Sequence, residues 1–91
     1  MSRLLDPAPR VIVEAATGAP TRVHVPQRQR TRVVGVYARW RLESGWWREP
    51  LSRDYWKLGL AGPAGSTGPD LVCEVYFDRL TEEWFLARLY D

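Results

Sequence analysis

Residues 22–48 combine arginine and aromatic side chains in a way that suggests binding chemistry. Seven arginines and three tryptophans share this segment with a single acid, Glu43. Guanidinium groups bind phosphate oxygens and flat rings stack on bases, so this combination is typical of surfaces that hold single-stranded nucleic acid. The candidate binding residues are Arg28, Arg30, Arg32, Tyr37, Arg39, Arg41, Trp46, Trp47 and Arg48. Together they predict a basic, aromatic surface for single-stranded DNA or RNA.

The charge of the chain is divided along its length. The formal net charge is only +2, yet residues 70–91 carry six acids against two arginines. Such a division indicates either a basic face for an acidic partner or strands that pair by opposite charge across the fold. In the second interpretation, Arg39, Arg41 or Arg48 pairs with an acid near the carboxyl terminus. The acids considered are Glu74, Asp78 and Glu83.

Few residues of the types used in catalysis or metal binding occur. His24 and Cys73 are the only histidine and the only cysteine. One cysteine cannot form an internal disulfide or a zinc site made of thiolates. Glu82 and Glu83 are adjacent, so on a strand they point to opposite faces and cannot act as a facing acid and base. We expect no catalytic residue, no metal site, no cofactor and no membrane span, and we expect a reducing cytoplasmic compartment.

The longest candidate strand carries the central part of the predicted binding surface. It spans residues 32–42 and alternates with a period of two. Tyr37, Arg39 and Arg41 share one face, and Trp40 lies on the other. Arginines at every second position of a strand match the spacing of phosphates on an extended nucleic-acid strand. The alternative is that these arginines solvate a sheet edge while Trp40 lies in the core.

The remaining pattern predicts an all-β fold with one domain at residues 10–91 and a tail at residues 1–9, which contain two prolines. Residues 61–69 hold three glycines and two prolines and are expected to be a mobile loop. Residues 81–90 fit a helix capped by Thr81 or a strand, and the strand is favoured. Five to seven short antiparallel strands predict a small barrel or rolled sheet, SH3-like or OB-like.

Several short runs resemble a known family. They are VVGV at 33–36, WWRE at 46–49, RDYW at 53–56, LVCEVYFDR at 71–79 and EWFLARLYD at 83–91. These runs resemble an uncharacterised small bacterial domain family of actinobacteria and of the Deinococcus and Thermus group. Its members occur alone or as the carboxyl-terminal segment of catalytically degenerate Y-family DNA polymerase-like subunits. The resemblance implies a role in DNA damage tolerance and no particular mechanism.

Two of these runs also predict a structural lock near the end of the chain. Arg88 and Tyr90 share a strand face, and Asp91 adds a carboxylate beside the terminal one. Arg53 is a candidate clamp for that end of the chain. A recognition surface is the alternative role for the same residues.

The sequence thus predicts a non-catalytic accessory binding domain related to DNA repair. The first hypothesis is contact with single-stranded nucleic acid through the arginine and aromatic strand surface. The alternative is a protein-interaction module that docks a repair polymerase-like subunit, or associates with itself, through exposed aromatic side chains.

Overall fold

The computed structural model describes residues 2–45 and 50–90 of the chain. These residues form seven strands and no helix. The strands are β1 (Ser2–Leu4), β2 (Ile12–Ala16), β3 (Ala19–His24), β4 (Arg32–Ser44), β5 (Leu51–Ala61), β6 (Leu71–Asp78) and β7 (Glu83–Tyr90). All of them pair antiparallel in one sheet, in the order β1-β7-β6-β5-β4-β3-β2. The all-β prediction is confirmed.

The core lies on one face of the sheet and is built from alternate residues of the central strands. On β5, Trp56, Leu58 and Leu60 are buried, and each stands opposite an apolar residue of β6. Because side chains alternate across a strand, these residues point to the same side. The buried cluster contains Val23, Val25, Trp56, Leu58, Leu60, Leu71, Cys73, Val75, Leu86 and Leu89. We call this side the inner face, and the opposite side of β4, β5, β6 and β7 the outer face.

The last segment is a strand because the turn before it is held by Asp78. The Asp78 carboxylate accepts hydrogen bonds from the backbone N–H of Leu80 at 2.9 Å and of Thr81 at 3.3 Å. Glu82 has a φ of 58°, so the chain reverses direction at once and returns along β6. Thr81 therefore belongs to a hairpin turn and caps no helix.

The N-terminal residues belong to the sheet, unlike the predicted tail. β1 pairs with the end of β7, and the Leu5 N–H donates to the Ala87 carbonyl at 2.9 Å. Pro9 has no N–H, but its carbonyl accepts a hydrogen bond from the Leu86 N–H at 2.9 Å. A proline removes a donor and leaves an acceptor, so it does not prevent pairing at a sheet edge.

The strand order of the described residues has two ends, β1 and β2, so the sheet is not closed into the expected SH3-like or OB-like barrel. An isolated bridge between Arg10 and Phe85 ties the segment that precedes β2 to β7. β3 pairs with β4 through a single residue pair, Arg22 and Arg32. After Arg32, no strand of the described residues pairs with the edge of β4 that faces away from β5.

β4 changes character along its length. Its pairing with β5 shifts register twice, between Val33 and Gly35 and between Val36 and Ala38. Each shift inserts one unpaired residue, which bends the strand and alters the alternation of its side chains. Residues 38–44 then pair with β5 without interruption. β4 thus has a bulged first part and a regular second part.

Candidate nucleic-acid interface

The predicted binding residues do not form one groove, because β4 separates them by face and by distance. Arg28, Arg30 and Arg32 lie at one end of the sheet, beside the loop that follows β5. Arg39 and Arg41 lie farther along β4. Trp46, Trp47 and Arg48 lie outside the described residues. We call the first group, Arg28, Arg30 and Arg32, the arginine end.

Two arginines of the arginine end are bonded to neutral groups. Arg30 donates from Nε to the Pro69 carbonyl at 2.9 Å and from Nη2 to the Thr67 carbonyl at 3.0 Å. Arg32 donates from Nη2 to the Gly62 carbonyl over a longer distance, 3.5 Å. A carbonyl fixes a guanidinium group without cancelling its charge, so both side chains remain cations that an anion can approach.

Two open cavities adjoin Arg30. The larger, of about 700 Å³, is lined by Gln27, Arg28, Gln29, Arg30, Pro69, Asp70, Leu71 and Tyr90. The smaller, of about 120 Å³, lies between Arg30, Arg32 and the loop at residues 61–69, which carries no charged residue. Among residues 2–45 and 50–90, Asp70 is the one acid that lines either cavity. The arginine end therefore has an excess of positive charge next to accessible space.

Tyr37 lies on the outer face near the arginine end. Its ring covers two glycines that pair across β4 and β5: a Cβ on Gly59 would lie 2.6 Å from the Tyr37 hydroxyl oxygen, and one on Gly35 3.3 Å from the ring. The side chain remains 56 % exposed. Arg32 pairs with Ala61 on β5, and Gly59 is two residues from Ala61. The Tyr37 ring therefore lies about 7 Å along the strand from Arg32.

Tyr90 lies in the same row of the outer face as the glycines beneath Tyr37. Gly59 pairs with Val72, and Val72 pairs with Tyr90, so Tyr90 is two strands, or about 10 Å, from Gly59. The Lys57 Nζ is 4.5 Å from the centroid of the Tyr90 ring, a cation–π contact. Tyr90 thus lines the cavity beside Arg28 and Arg30, and Lys57 and Tyr37 lie on the same outer face next to it.

Arg39 and Arg41 point to the inner face and not to the side of Tyr37. Arg39 stands opposite Trp56, with its guanidinium carbon 5.3 Å from that ring. The Arg41 Nε donates to Asp54 Oδ1 at 2.6 Å, and this hydrogen bond and the carboxylate charge raise the pKa of Arg41. The expected common face of Tyr37, Arg39 and Arg41 is absent, because the register shift at Tyr37 inserts one residue into the alternation.

The charge pairing suggested by the sequence occurs with other partners. Arg41 pairs with Asp54 on β5, the neighbouring strand. The predicted partners Glu74, Asp78 and Glu83 lie on β6 and β7, and β5 separates these strands from β4. Within the described residues, no ion pair joins Arg39 to a carboxylate.

The residues of the predicted lock lie at two separate places. Tyr90 donates a hydrogen bond to Glu74, and the Arg88 Nε lies 3.9 Å from the same carboxylate. Glu74 therefore joins Arg88 and Tyr90. Arg53 pairs with Asp78 at the opposite end of β5, where its guanidinium carbon is 4.4 Å from the Tyr76 ring. Asp91 lies outside the described residues.

A row of aromatic rings across the outer face was not predicted from the sequence. It consists of Trp40, Tyr55, Tyr76 and Phe85, which stand opposite one another on β4, β5, β6 and β7. Successive ring centroids are 5.2, 5.0 and 5.1 Å apart. Each contact contributes about 0.5–1.5 kcal/mol beyond area burial. The rings cover one another, so the row serves mainly to hold the sheet together.

The other candidate groups and the comparisons with known proteins add no further site. Burial raises the pKa of the Cys73 thiol to about 12. Residues 2–45 and 50–90 contain neither a group of three or more potential metal ligands nor a helix long and apolar enough to cross a membrane. No family model, no curated protein and no solved structure matches this chain.

Proposed function

We propose that this chain is a non-catalytic accessory domain that binds single-stranded nucleic acid at the arginine end. Arg28, Arg30 and Arg32 contact backbone phosphates, and a base stacks on the exposed ring of Tyr37. The observation that carries the proposal is the bonding of Arg30 and Arg32 to neutral carbonyls beside open cavities with one lining acid. The positive charges of Arg30 and Arg32 are not neutralised by these carbonyls, whereas the charge of Arg41 is neutralised by Asp54.

The arrangement also sets the expected strength of binding. Three phosphate contacts on a single strand predict that log K falls with log salt with a slope of about −2. Stacking on Tyr37 adds about 1–3 kcal/mol per base. Neither contribution reads base edges, so we expect little sequence preference. Binding is therefore strong at low salt and weak at physiological salt.

Two arginines of β4 provide a matched test of this proposal. Arg32→Glu and Arg39→Glu make the same charge change at exposed positions of one strand. We expect Arg32→Glu to weaken binding of a labelled oligothymidylate at least about tenfold, which corresponds to about 1.4 kcal/mol, at low salt. Arg39→Glu, on the other face, should change it less than about twofold. Fluorescence anisotropy gives both values, and equal losses in the two variants would overturn the arginine end as the site.

The biological setting is part of the same proposal. The resemblance described above suggests DNA damage tolerance, in which single-stranded DNA is exposed and a Y-family polymerase-like subunit acts nearby. A cytoplasmic location is also proposed, because the ligand occurs there and Cys73 is a free thiol. Single-stranded DNA is accordingly the first ligand to test, and RNA the second.

A second candidate function is protein interaction along the outer edge of β4. The observation that favours it is the absence of a covering strand beyond Arg32, together with exposed Trp40 and Leu42. An open edge binds an added strand through backbone hydrogen bonds and side-chain contacts. If the partner is a polymerase-like subunit, binding should persist in about 0.5 M salt, where exposed charge pairs are largely screened, and should be lost in Trp40→Lys.

A further inference from the structure

Residues 38–44 form a regular strand edge with no neighbour among the described residues. Trp40 is 40 % and Leu42 43 % exposed, although both lie on a strand that is fully paired on its other side. A free edge of this length presents unpaired N–H and C=O groups and is a template for another strand. The inference below rests on the second candidate function, and it does not depend on nucleic-acid binding.

The first part of β4 carries bulges that protect a free edge. The two register shifts, near Val34 and Tyr37, bend that part away from a straight partner. Residues 38–44 contain no proline, no lysine and no bulge. A partner strand can therefore pair with residues 38–44 and must end where the bulged part begins.

Trp40 has one ring face covered and the other directed toward the open edge. Its ring is stacked on Tyr55, with an angle of 6° between the planes and 5.2 Å between centroids. Because Tyr55 lies on the β5 side, the second face of the indole is turned away from the sheet. An apolar side chain on an added strand would continue the aromatic row and cover this face.

We propose that the occupant of this edge is a second copy of the chain, paired antiparallel with β4 and centred on Arg41. In this register Arg39 stands opposite Glu43 of the second copy, and the pair occurs twice by symmetry. Trp40 stands opposite Leu42 of the second copy, also twice. The charges and the apolar groups of residues 38–44 are thus complementary to themselves.

The charges already present favour this register over others. Arg39 has no carboxylate partner among the described residues, and Glu43 of the second copy can supply one, because its own contacts with Arg41 and Arg79 are long, at 3.9 Å each. Arg41 faces its own copy at the two-fold axis, but each Arg41 is paired with Asp54 at 2.6 Å. A parallel arrangement in register would place Arg39 against Arg39, which destabilises a strand pair. An antiparallel register centred on Ala38 would require pairing across both bulged positions.

We expect the dimer to be weak, because its interface is small. A pairing of seven residues buries much less than the roughly 800 Å² per partner of a standard interface. Its backbone hydrogen bonds, two Trp40 contacts and two exposed ion pairs give a dissociation constant on the order of 10–100 µM. The dimer therefore forms at high local concentration and dissociates on dilution.

Sedimentation equilibrium of the full chain and a charge-exchange series test this dimer. The monomer mass of the wild-type chain is 10.5 kDa. As the concentration rises from about 1 to about 500 µM, the average mass in solution should rise from this value toward twice this value. Arg39→Glu and Glu43→Arg each place like charges opposite one another, and each should raise the dissociation constant at least about tenfold. The double variant restores both opposite-charge pairs and should return the constant to within about threefold of wild type.

Arg32→Glu is the matched control, because it makes the same charge change on β4 outside residues 38–44. Arg32→Glu should leave the dimer unchanged and weaken oligonucleotide binding. Arg39→Glu should weaken the dimer and leave oligonucleotide binding almost unchanged. Thermal unfolding of each variant checks that these exposed substitutions leave the fold intact. A wild-type chain that stays monomeric at about 500 µM overturns the dimer, as does a double variant that does not recover. Oligonucleotide binding and a polymerase-like partner that binds at Trp40 are measured separately, so their outcomes remain distinguishable.

Discussion

At the scale of single residues, the partner of each arginine decides what that arginine can do. Arg41 is held by the Asp54 carboxylate, so its charge is largely cancelled. Arg30 is held by two backbone carbonyls, and its charge is kept. Arg39 rests on the Trp56 ring, which fixes it without a counter-charge. A count of arginines therefore overstates the basic surface, and the identity of each acceptor corrects it.

Tyr90 allows a pH test at this scale. Its hydroxyl donates to Glu74, and the acceptor carboxylate raises the pKa of Tyr90 above the ordinary value of 10.0. A raised folded-state pKa contributes stability that is present below about pH 10 and is lost as the pH rises through the folded-state value. We expect Tyr90→Phe to lower the free energy of unfolding by about 1 kcal/mol at pH 8. The difference from wild type should shrink above pH 10.

Urea unfolding of both chains between pH 8 and pH 11 measures this difference. Comparison of the two chains cancels the titration of the other tyrosines, including Tyr76, whose pKa is raised by burial. A difference between the chains that stays constant across this range would show that the Tyr90 hydroxyl does not bond to Glu74 in solution.

At the scale of elements, β4 combines two surfaces on one strand. Its bulged part turns Tyr37 to the outer face beside the arginine end, and its regular part leaves residues 38–44 free for another strand. The register shifts separate the two parts, since a partner strand cannot follow the bends. One strand can therefore carry a nucleic-acid contact and a protein contact without overlap.

The glycine beneath Tyr37 tests the first of these surfaces. Gly59→Ala places a Cβ 2.6 Å from the Tyr37 hydroxyl oxygen, so the exposed ring must move away from the sheet. Because the ring is free to move, we expect a change of less than about 1 kcal/mol in the free energy of unfolding. Oligothymidylate affinity should fall about 5- to 100-fold, as in Tyr37→Ala, because stacking is lost.

The double variant separates an effect through Tyr37 from a direct one. If Gly59 acts by positioning the ring, Gly59→Ala adds nothing in the Tyr37→Ala background. Additive losses of affinity in the anisotropy titration would instead assign the effect to the backbone of β5.

At the scale of the whole molecule, the sequence predicts local patterns better than long-range pairing. The period of two in residues 32–42 and in Leu71 to Asp78 predicts strands that the structure contains. The aromatic row is not predictable in this way, because it depends on which residues of β4, β5, β6 and β7 stand opposite one another. Local alternation carries no information about register between distant strands.

The same reason explains the errors in the predicted site. Regular alternation predicts one face for Tyr37, Arg39 and Arg41, and an inserted residue at a bulge leaves little sequence signal besides Gly35. Tryptophan is usually highly buried, which makes Trp40 a candidate for the core, but β3 leaves β4 after Arg32 and exposes this side chain. The arginine end was predicted in part, since Arg28, Arg30 and Arg32 are close in sequence.

The most direct test of the proposed function is a residue-level map of oligonucleotide binding. Amide chemical shifts of the ¹⁵N-labelled chain are followed while an oligothymidylate is added at low salt. We expect the largest changes at residues 28–32, at Tyr37 and at Tyr90, and small changes at residues 38–44. Changes that are absent throughout, or that are confined to residues 38–44, would contradict nucleic-acid binding at the arginine end.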